Sequence, residues 1–218
     1  MAMVTKSPPY MLAWTSKSFI SPRAKLLIFL TALSPAIRLI WYGFDDGLGA
    51  NPIEFITHFT GTWGIVFLCL TLAITPLRVS TGWNWLISYR RMLGLFCFFY
   101  ALLHFLTWSV LDKNLDLHEI YADFFKRTFI TFGLLAFLCL IPLAMTSTKK
   151  MQKMLGRNWS VLHRLIYAIG IFVVLHYLIH KAAKNNFGTV TIYMVIIGGL
   201  LLWRLRRWYI KRSNNVRT

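Results

Sequence analysis

Long apolar runs separated by short polar segments dominate the chain. Six runs approach the roughly 20 residues that a helix needs to cross the hydrocarbon of a bilayer. They cover approximately residues 24–42, 57–77, 92–111, 128–146, 161–180 and 188–207. The first run contains Pro35 and Arg38, and a membrane helix tolerates proline when its neighbours satisfy the freed carbonyl. The pattern therefore predicts an all-α, polytopic membrane protein built as a six-helix bundle.

The composition agrees with this pattern. Of the 218 residues, 57% are hydrophobic and 14% are charged, whereas soluble domains carry about 25% charged residues. A chain of this length forms one domain. We predict an N-terminal tail over 1–23, a transmembrane domain over 24–208 and a basic tail over 209–218. No internal repeat is evident from the sequence.

Charge orients the predicted spans. The net charge is +17, from 24 Lys and Arg against 7 acids. Cations cluster at both ends of the chain and in the loops after the second and fourth runs, while Lys181 and Lys184 are mild exceptions. The acids fall in the other loops and are Asp45, Asp46, Glu54, Asp112, Asp116, Glu119 and Asp123. The positive-inside rule then predicts cytoplasmic termini and outward-facing acidic loops, so the positive charge indicates topology rather than nucleic-acid binding.

The three cysteines provide no redox motif. Cys69, Cys97 and Cys139 each lie within an apolar run, and none belongs to a CxxC pair. This placement is typical of small buried apolar side chains, and it excludes a disulfide framework or an iron–sulfur motif of recognised spacing.

Three histidines lie within the predicted spans, where polar side chains usually mark function. His104 follows Arg91 by 13 residues, and His176 follows His163 by 13 residues. At 1.5 Å per residue, both spacings correspond to about 20 Å of helix. The third and fifth spans run in the same direction, so His104 and His176 are expected at similar depth. Two such imidazoles can supply both axial ligands of a b-type haem in a helical bundle.

Other interpretations of the histidines remain open at this point. On one ideal helix, His163 and His176 differ by about 220° and do not share a face. A proton relay, a quinone site or a metal pathway would also use buried histidines, but a proton relay normally includes acids, and the spans contain none. For His58, an interfacial position and ligation are both consistent with the sequence. His180 suits the membrane interface, and His118 lies in a predicted loop.

Several motifs resemble one family. They are HFTG (58–61), ITPLR (74–78), RRMLGLFCF (90–98), LLHF (102–105), MTSTKKMQKMLGRNWSVLHRLIY (145–167) and LHYL (175–178). From about Leu26 to Trp208, the chain resembles the MsrQ (YedZ) family of haem-binding membrane subunits. This family belongs to the ferric-reductase-like transmembrane superfamily and serves bacterial periplasmic methionine sulfoxide reductase systems.

The resemblance implies a specific function. It implies haem b, with His104, His163 and His176 as iron ligands, and an association with flavin mononucleotide (FMN). It also implies a multi-pass protein in the lipid of the bacterial inner membrane. Such a subunit relays electrons from a cytoplasmic flavin reductase or the quinol pool to the periplasmic molybdopterin subunit MsrP, which repairs oxidised envelope proteins.

One departure from the superfamily limits the haem assignment. Arg90 and Arg91 stand where a second ligand on the third span would be expected. One haem between His104 and His176 is therefore predicted, and His163 is left to a second haem, to flavin or to quinone.

The basic loops and the absence of a nucleotide-binding motif indicate how the protein could receive its electrons. Six basic side chains are candidates for holding a flavin phosphate or docking a donor: Arg78, Arg90, Arg91, Lys149, Lys150 and Arg157. No nucleotide-binding motif is present, so we predict an electron-transfer subunit without a complete substrate site. The alternatives are a ferric or quinone reductase of the same superfamily, or a haem-free transporter or scaffold.

Overall fold

Helices joined by short loops make up the computed structural model, which describes residues 19–182, 185 and 187–216. Six of these helices are long and apolar enough to cross a bilayer, as the apolar runs predict. They are α1 (Pro22–Phe44), α2 (Pro52–Thr81), α3 (Arg90–Leu106), α5 (Thr128–Met145), α8 (Leu165–Ala182) and α9 (Gly188–Val216). A π-helical turn over Thr107–Asp112 extends α3.

Shorter helices occupy the connections and were not predicted. They are a 3₁₀ helix (Asn84–Ser88), α4 (Leu117–Lys126), α6 (Lys149–Leu155) and α7 (Arg157–Leu162). The fifth apolar run is consequently divided, because α7 ends at Leu162 and α8 begins at Leu165. The angular estimate for His163 and His176 assumed one continuous helix, and it does not apply across this break.

The predicted tails fall partly outside the described residues. Most of the N-terminal tail (1–18) is not described, nor is Lys184. The first helix begins at Pro22, and the Ser21 hydroxyl accepts a hydrogen bond from the backbone N–H of Ala24. The last helix continues to Val216, beyond the predicted start of the basic tail at 209. The predicted domain limits stay a prediction.

The alternating direction of the spans gives the bundle two chemically different ends. We call the end formed by 45–54 and 112–127 the acidic end, because it holds every acid in the sequence. The opposite end, formed by 78–91 and 146–164, is the basic end.

Two antiparallel helix pairs form the centre of the bundle. Helix α2 packs along α3, and α5 packs along α8, while α3 also contacts α5. Helix α9 packs against α2 and α8, and α1 contacts α2 and α3. Leu68, Tyr100, Ile169 and Ile197 are among the most deeply buried side chains. The core therefore lies where the two pairs meet.

A half-buried arginine compensates for a proline in α2. Proline has no N–H, so Pro76 leaves the carbonyl of Leu72 without its usual helical donor. The guanidinium of Arg204 on α9 donates a hydrogen bond to this carbonyl, and it also donates to Leu200 at 3.2 Å. The charge of Arg204 thus lies within the bundle with backbone acceptors around it.

A tyrosine hydroxyl links α1 to α3 beside Pro35. Tyr100 has none of its surface exposed. Its hydroxyl accepts a hydrogen bond from the Ala36 N–H at 3.2 Å and donates one to the Ala32 carbonyl at 2.8 Å. The hydroxyl therefore joins a donor and an acceptor that stand four residues apart on α1.

Candidate functional site

His104 and His176 meet in the middle of the two helix pairs. His104 lies near the end of α3, His176 lies in α8, and their ring centroids are 6.0 Å apart with an interplanar angle of 83°. The predicted meeting of these two side chains at one depth is confirmed. Their role as metal ligands stays a prediction.

Both rings are held by the same kind of hydrogen bond. Nδ1 of His104 lies 2.8 Å from the carbonyl oxygen of Thr57, and Nδ1 of His176 lies 2.6 Å from that of Phe129. A carbonyl can only accept, so each Nδ1 carries the hydrogen and donates it. In a neutral imidazole the other nitrogen, Nε2, then keeps its lone pair. A carbonyl behind Nδ1 is the usual second-shell partner of a metal-bound histidine.

A glycine makes room for each ring. A Cβ on Gly61 would lie 3.0 Å from Nδ1 of His104, and a Cβ on Gly133 would lie 2.7 Å from Nδ1 of His176. Real Cβ atoms essentially never approach within 3.0 Å. Gly133 therefore leaves the space that the His176 ring occupies, while at Gly61 a Cβ would force the His104 ring to shift by a few tenths of an ångström.

These two sets of residues are spaced identically along the chain, which corrects the expectation of no internal repeat. In each set, the carbonyl and the histidine are 47 residues apart. The second set follows the first by 72 residues, from Thr57 to Phe129 and from His104 to His176. The paired strings LHFL (103–106) and LHYL (175–178) were the available signal in the sequence.

A cavity of about 430 Å³ surrounds the two histidines. Its volume falls within the roughly 300–1,000 Å³ typical of ligand sites. The walls towards the basic end are apolar and include Leu68, Cys97, Leu140 and Ile169. The walls towards the acidic end carry the polar side chains His58, Trp108, His180 and Lys181.

His58 and His180 belong to this cavity. The sequence left both an interfacial position and ligation open for His58, and it suggested an interfacial position for His180. Their ring centroids are 5.5 Å apart, and His180 also lies 5.1 Å from the ring of Phe129. His180 follows His176 by one helical turn, so the shared face of this pair was visible in the sequence. The position of His58 depends on how α2 packs, and its motif alone did not indicate it.

His163 lies elsewhere and is bonded differently. The Thr146 hydroxyl donates to the Pro142 carbonyl at 2.6 Å, so it can only accept from Nε2 of His163, which is 3.1 Å away. The His163 ring also stacks on Trp159, with centroids 4.1 Å apart. The structure does not bring His163 to His104 and His176, and its Nε2 carries a hydrogen in this arrangement.

An ion-paired lysine fastens α4 to the acidic end. The Lys113 ammonium lies 3.0 Å from the Asp123 carboxylate and 3.5 Å from Glu119. The hydrogen bond to Asp123 raises the pKa of Lys113 above its ordinary value of 10.5. Lys113 is therefore charged at neutral pH, and at alkaline pH the attraction would be lost as the pH rises through this raised pKa. An apolar row on α4 stays exposed, formed by Leu117, Tyr121 and Phe125.

The central pair fits the axial ligand set of a haem. A metal–imidazole bond is about 2 Å long, so two axial rings on one ion have centres roughly 6 Å apart. The observed separation is 6.0 Å. Among the described residues, no group of three or more His, Cys, Asp or Glu could hold a metal ion. A porphyrin supplies the four remaining ligands itself, so two histidines suffice. His163 differs from this pair, because its Nε2 donates a hydrogen bond to the Thr146 hydroxyl and so offers no lone pair to a metal in this arrangement.

Comparison with known proteins gives the family. Residues 60–174 match the family described as ferric reductase like transmembrane component. Two relatives are named protein-methionine-sulfoxide reductase heme-binding subunit MsrQ. The one from Ralstonia nicotianae is 51% identical over 190 residues, covering 87% of each chain. The one from Herminiimonas arsenicoxydans is 52% identical over 192 residues, covering 88% of each.

More distant relatives carry the same name. The MsrQ subunit of Rhodospirillum rubrum is 45% identical over 185 residues, covering 83% of this chain and 86% of its own. No solved structure matches the chain. Identity at this level over most of the length leaves no ambiguity about descent, and the chain belongs to the MsrQ family of ferric-reductase-like transmembrane proteins.

Proposed function

We propose that the protein is a membrane electron-transfer subunit that holds one haem b between His104 and His176. The observation that carries this proposal is the pair of Nδ1–carbonyl hydrogen bonds, which leaves a lone pair on Nε2 of both rings. The names of the relatives add support, since each is called a heme-binding subunit of a methionine sulfoxide reductase.

The protein's own residues prepare the site before any ligand binds. Thr57 and Phe129 hold the rings through their carbonyls, and Gly61 and Gly133 let the rings approach. The apolar walls exclude water and lower the local dielectric, which favours neutral imidazoles. A haem bound there would supply one-electron transfer through its iron, with a potential set by the ligands and the surrounding polarity.

The electrons would cross from the basic end to the acidic end. By the positive-inside rule, the basic end and both termini face the cytoplasm of the bacterial inner membrane. The histidine pair lies closer to the acidic end, since His104 precedes Asp112 by 8 residues and follows Arg90 by 14. We infer that the acidic end serves the periplasmic partner, a molybdopterin reductase of the MsrP type.

The donor side of the relay belongs to the basic end. A cytoplasmic flavin reductase or membrane quinol would deliver the electrons, and the basic loops between 78 and 91 and between 146 and 164 are suited to an anionic partner or to an FMN phosphate. His163 lies on this side. Its part in holding a second haem, FMN or quinone stays a prediction, and no electron step is assigned to it. Turnover of methionine sulfoxide would take place in the partner.

Absorption spectroscopy of the purified protein tests this function. The wild type should show a Soret band that shifts on reduction, and His104→Ala or His176→Ala should remove most of the bound haem. His118→Ala is the matched control, because His118 is exposed on α4, outside the bundle. His163→Ala should keep most of the haem.

Two results would contradict the proposal. A colourless wild-type protein purified from haem-sufficient cells would favour a transporter or scaffold. Equal haem loss in His104→Ala, His163→Ala and His176→Ala would refute the pairing of His104 with His176.

A further inference from the structure

The two ends of the histidine cavity differ in chemistry. Towards the basic end the walls are apolar, while towards the acidic end four side chains offer N–H groups. We call these four, His58, Trp108, His180 and Lys181, the polar rim. None of the described residues that line the cavity is Asp or Glu. The polar rim is therefore rich in donors and contains no carboxylate of its own.

Two members of the polar rim occupy equivalent positions. Trp108 follows His104 by four residues, and His180 follows His176 by four. Each helix thus carries a ring with an N–H group one turn closer to the acidic end than its central histidine. The 72-residue spacing that relates His104 to His176 also relates Trp108 to His180.

The indole N–H of Trp108 is a hydrogen-bond donor that could bind a ligand in the cavity. Its Nε1 is buried and has no hydrogen-bond partner among the described residues. A buried donor without an acceptor costs free energy, and such groups in native proteins usually meet a ligand or an ordered water. The π-helical turn that begins at Thr107 contains Trp108, and π-helical turns occur frequently at functional sites.

Lys181 adds a positive charge to the mouth of the cavity. Its ammonium lies 5.9 Å from the ring centroid of Tyr177, which also lines the cavity. His58 and His180 stand together beside it, with ring centroids 5.5 Å apart. A cation with several N–H donors is the arrangement that stabilises a carboxylate.

We propose that the polar rim binds the two propionate carboxylates of the haem, so that this edge of the porphyrin faces the acidic end. The inference rests on the proposed function, since it needs a haem between His104 and His176. Haem has one apolar edge and one edge with two carboxylates, and the cavity has one apolar end and one donor-rich end. The opposite orientation would place two carboxylates against Leu68, Cys97, Leu140 and Ile169, where nothing would compensate for their burial.

The test compares two porphyrins that differ only at the carboxylates. Haem-free protein is titrated with haem b and with haem dimethyl ester, whose propionates are esterified. We expect wild-type protein to bind haem b at least tenfold more tightly than the ester. Lys181→Met should bring this ratio close to one, Lys181→Arg should keep it, and Trp108→Phe should lower it partly. Lys153→Met, an exposed lysine at the basic end, is the matched control.

A measurement on the protein as purified with haem provides a second readout. Removing a cation near the iron favours the oxidised form, so Lys181→Met should lower the ratio of reduced to oxidised haem at a fixed potential. A tenfold change corresponds to about 59 mV for a one-electron couple. Lys153→Met should leave the potential unchanged.

The outcomes separate this inference from the proposed function. If the wild type binds both porphyrins equally well through two histidines, the propionate site is refuted and the haem site stands. If the wild type binds neither porphyrin, both proposals fail. An unchanged ratio and an unchanged potential in Lys181→Met would also overturn the role of the polar rim.

Discussion

The ring nitrogen that carries the hydrogen distinguishes the histidine pair, His104 and His176, from His163. At His104 and His176 the hydrogen lies on Nδ1, because a backbone carbonyl accepts it. At His163 the hydrogen lies on Nε2, because the Thr146 hydroxyl accepts it. Three imidazoles that look equivalent in the sequence therefore offer different nitrogens. In the central pair the nitrogen without a hydrogen is Nε2, and a neutral imidazole binds metal ions through such a nitrogen.

The glycine behind His176 gives a sharp test at this scale. In Gly133→Ala, the new methyl group would overlap the imidazole and push it away from the Phe129 carbonyl. Loss of a second-shell contact typically weakens metal binding by roughly 10–100-fold, and we expect a loss of this order in haem affinity, measured by titration of the haem-free protein.

A control variant distinguishes a local effect of Gly133→Ala on the His176 ring from a general effect of replacing a helical glycine by alanine. Alanine is a better helix former than glycine by up to about 1 kcal/mol, so the substitution should not weaken α5 itself. Gly199→Ala lies on α9, with open space around its Cβ. It should leave haem affinity unchanged. Equal affinity in Gly133→Ala and the wild type would show that the ring does not need this space.

At the scale of helices, length and hydropathy were enough to predict all six spans. Three features were not predictable in this way. Helices α6 and α7 have only 7 and 6 residues, which is too short for a periodic pattern, whereas the apolar residues of α4 at 117, 121 and 125 were an available signal. The break at His163 and Arg164 falls near the start of the fifth run, where no Gly or Pro marks the end of a helix. The carbonyls behind the central histidines come from neighbouring helices, and every residue has a carbonyl, so no side chain marks them.

The contact between α2 and α9 yields a prediction at this scale. In Arg204→Leu, the Leu72 carbonyl loses its donor, and an unsatisfied buried polar group costs about 1–3 kcal/mol. We expect a loss of stability of this order, measured by thermal unfolding in detergent. Pro76→Ala restores an N–H to α2, so the double variant should recover most of the loss.

Arg206→Leu serves as the control for this prediction, because Arg206 is an exposed arginine on the same helix. It should unfold like the wild type. If Arg204→Leu and the double variant are equally destabilised, the role of Arg204 as the donor for Leu72 is wrong.

The whole molecule is polarised along the membrane normal. All seven acids lie at one end, and the histidine cavity opens its polar rim towards that same end. Helix α4 covers part of this end, held by the ion pair between Lys113 and the buried Asp123. Its exposed apolar row suits a helix that lies in the membrane interface. The charge distribution thus predicts both the orientation and the side from which a partner approaches.

Cysteine labelling tests the orientation of the whole molecule. With the three native cysteines replaced, Ala50→Cys places a thiol at the acidic end and Thr81→Cys places one at the basic end. Both positions are exposed. In intact spheroplasts, a membrane-impermeant maleimide should label Ala50→Cys within minutes and leave Thr81→Cys at least tenfold less labelled. Labelling of Thr81→Cys alone would invert the proposed topology, and permeabilised cells control for reactivity.

The hydroxyl of Tyr100 has a consequence that reaches beyond its own neighbourhood. Tyr100 precedes His104 by one turn of α3, and its two hydrogen bonds to Ala32 and Ala36 fix how that helix is rotated about its long axis relative to α1. No residue of α1 forms part of the cavity wall. The first helix nevertheless takes part in setting the direction in which the His104 imidazole projects, so the geometry of the histidine pair depends in part on a segment that never touches the cavity.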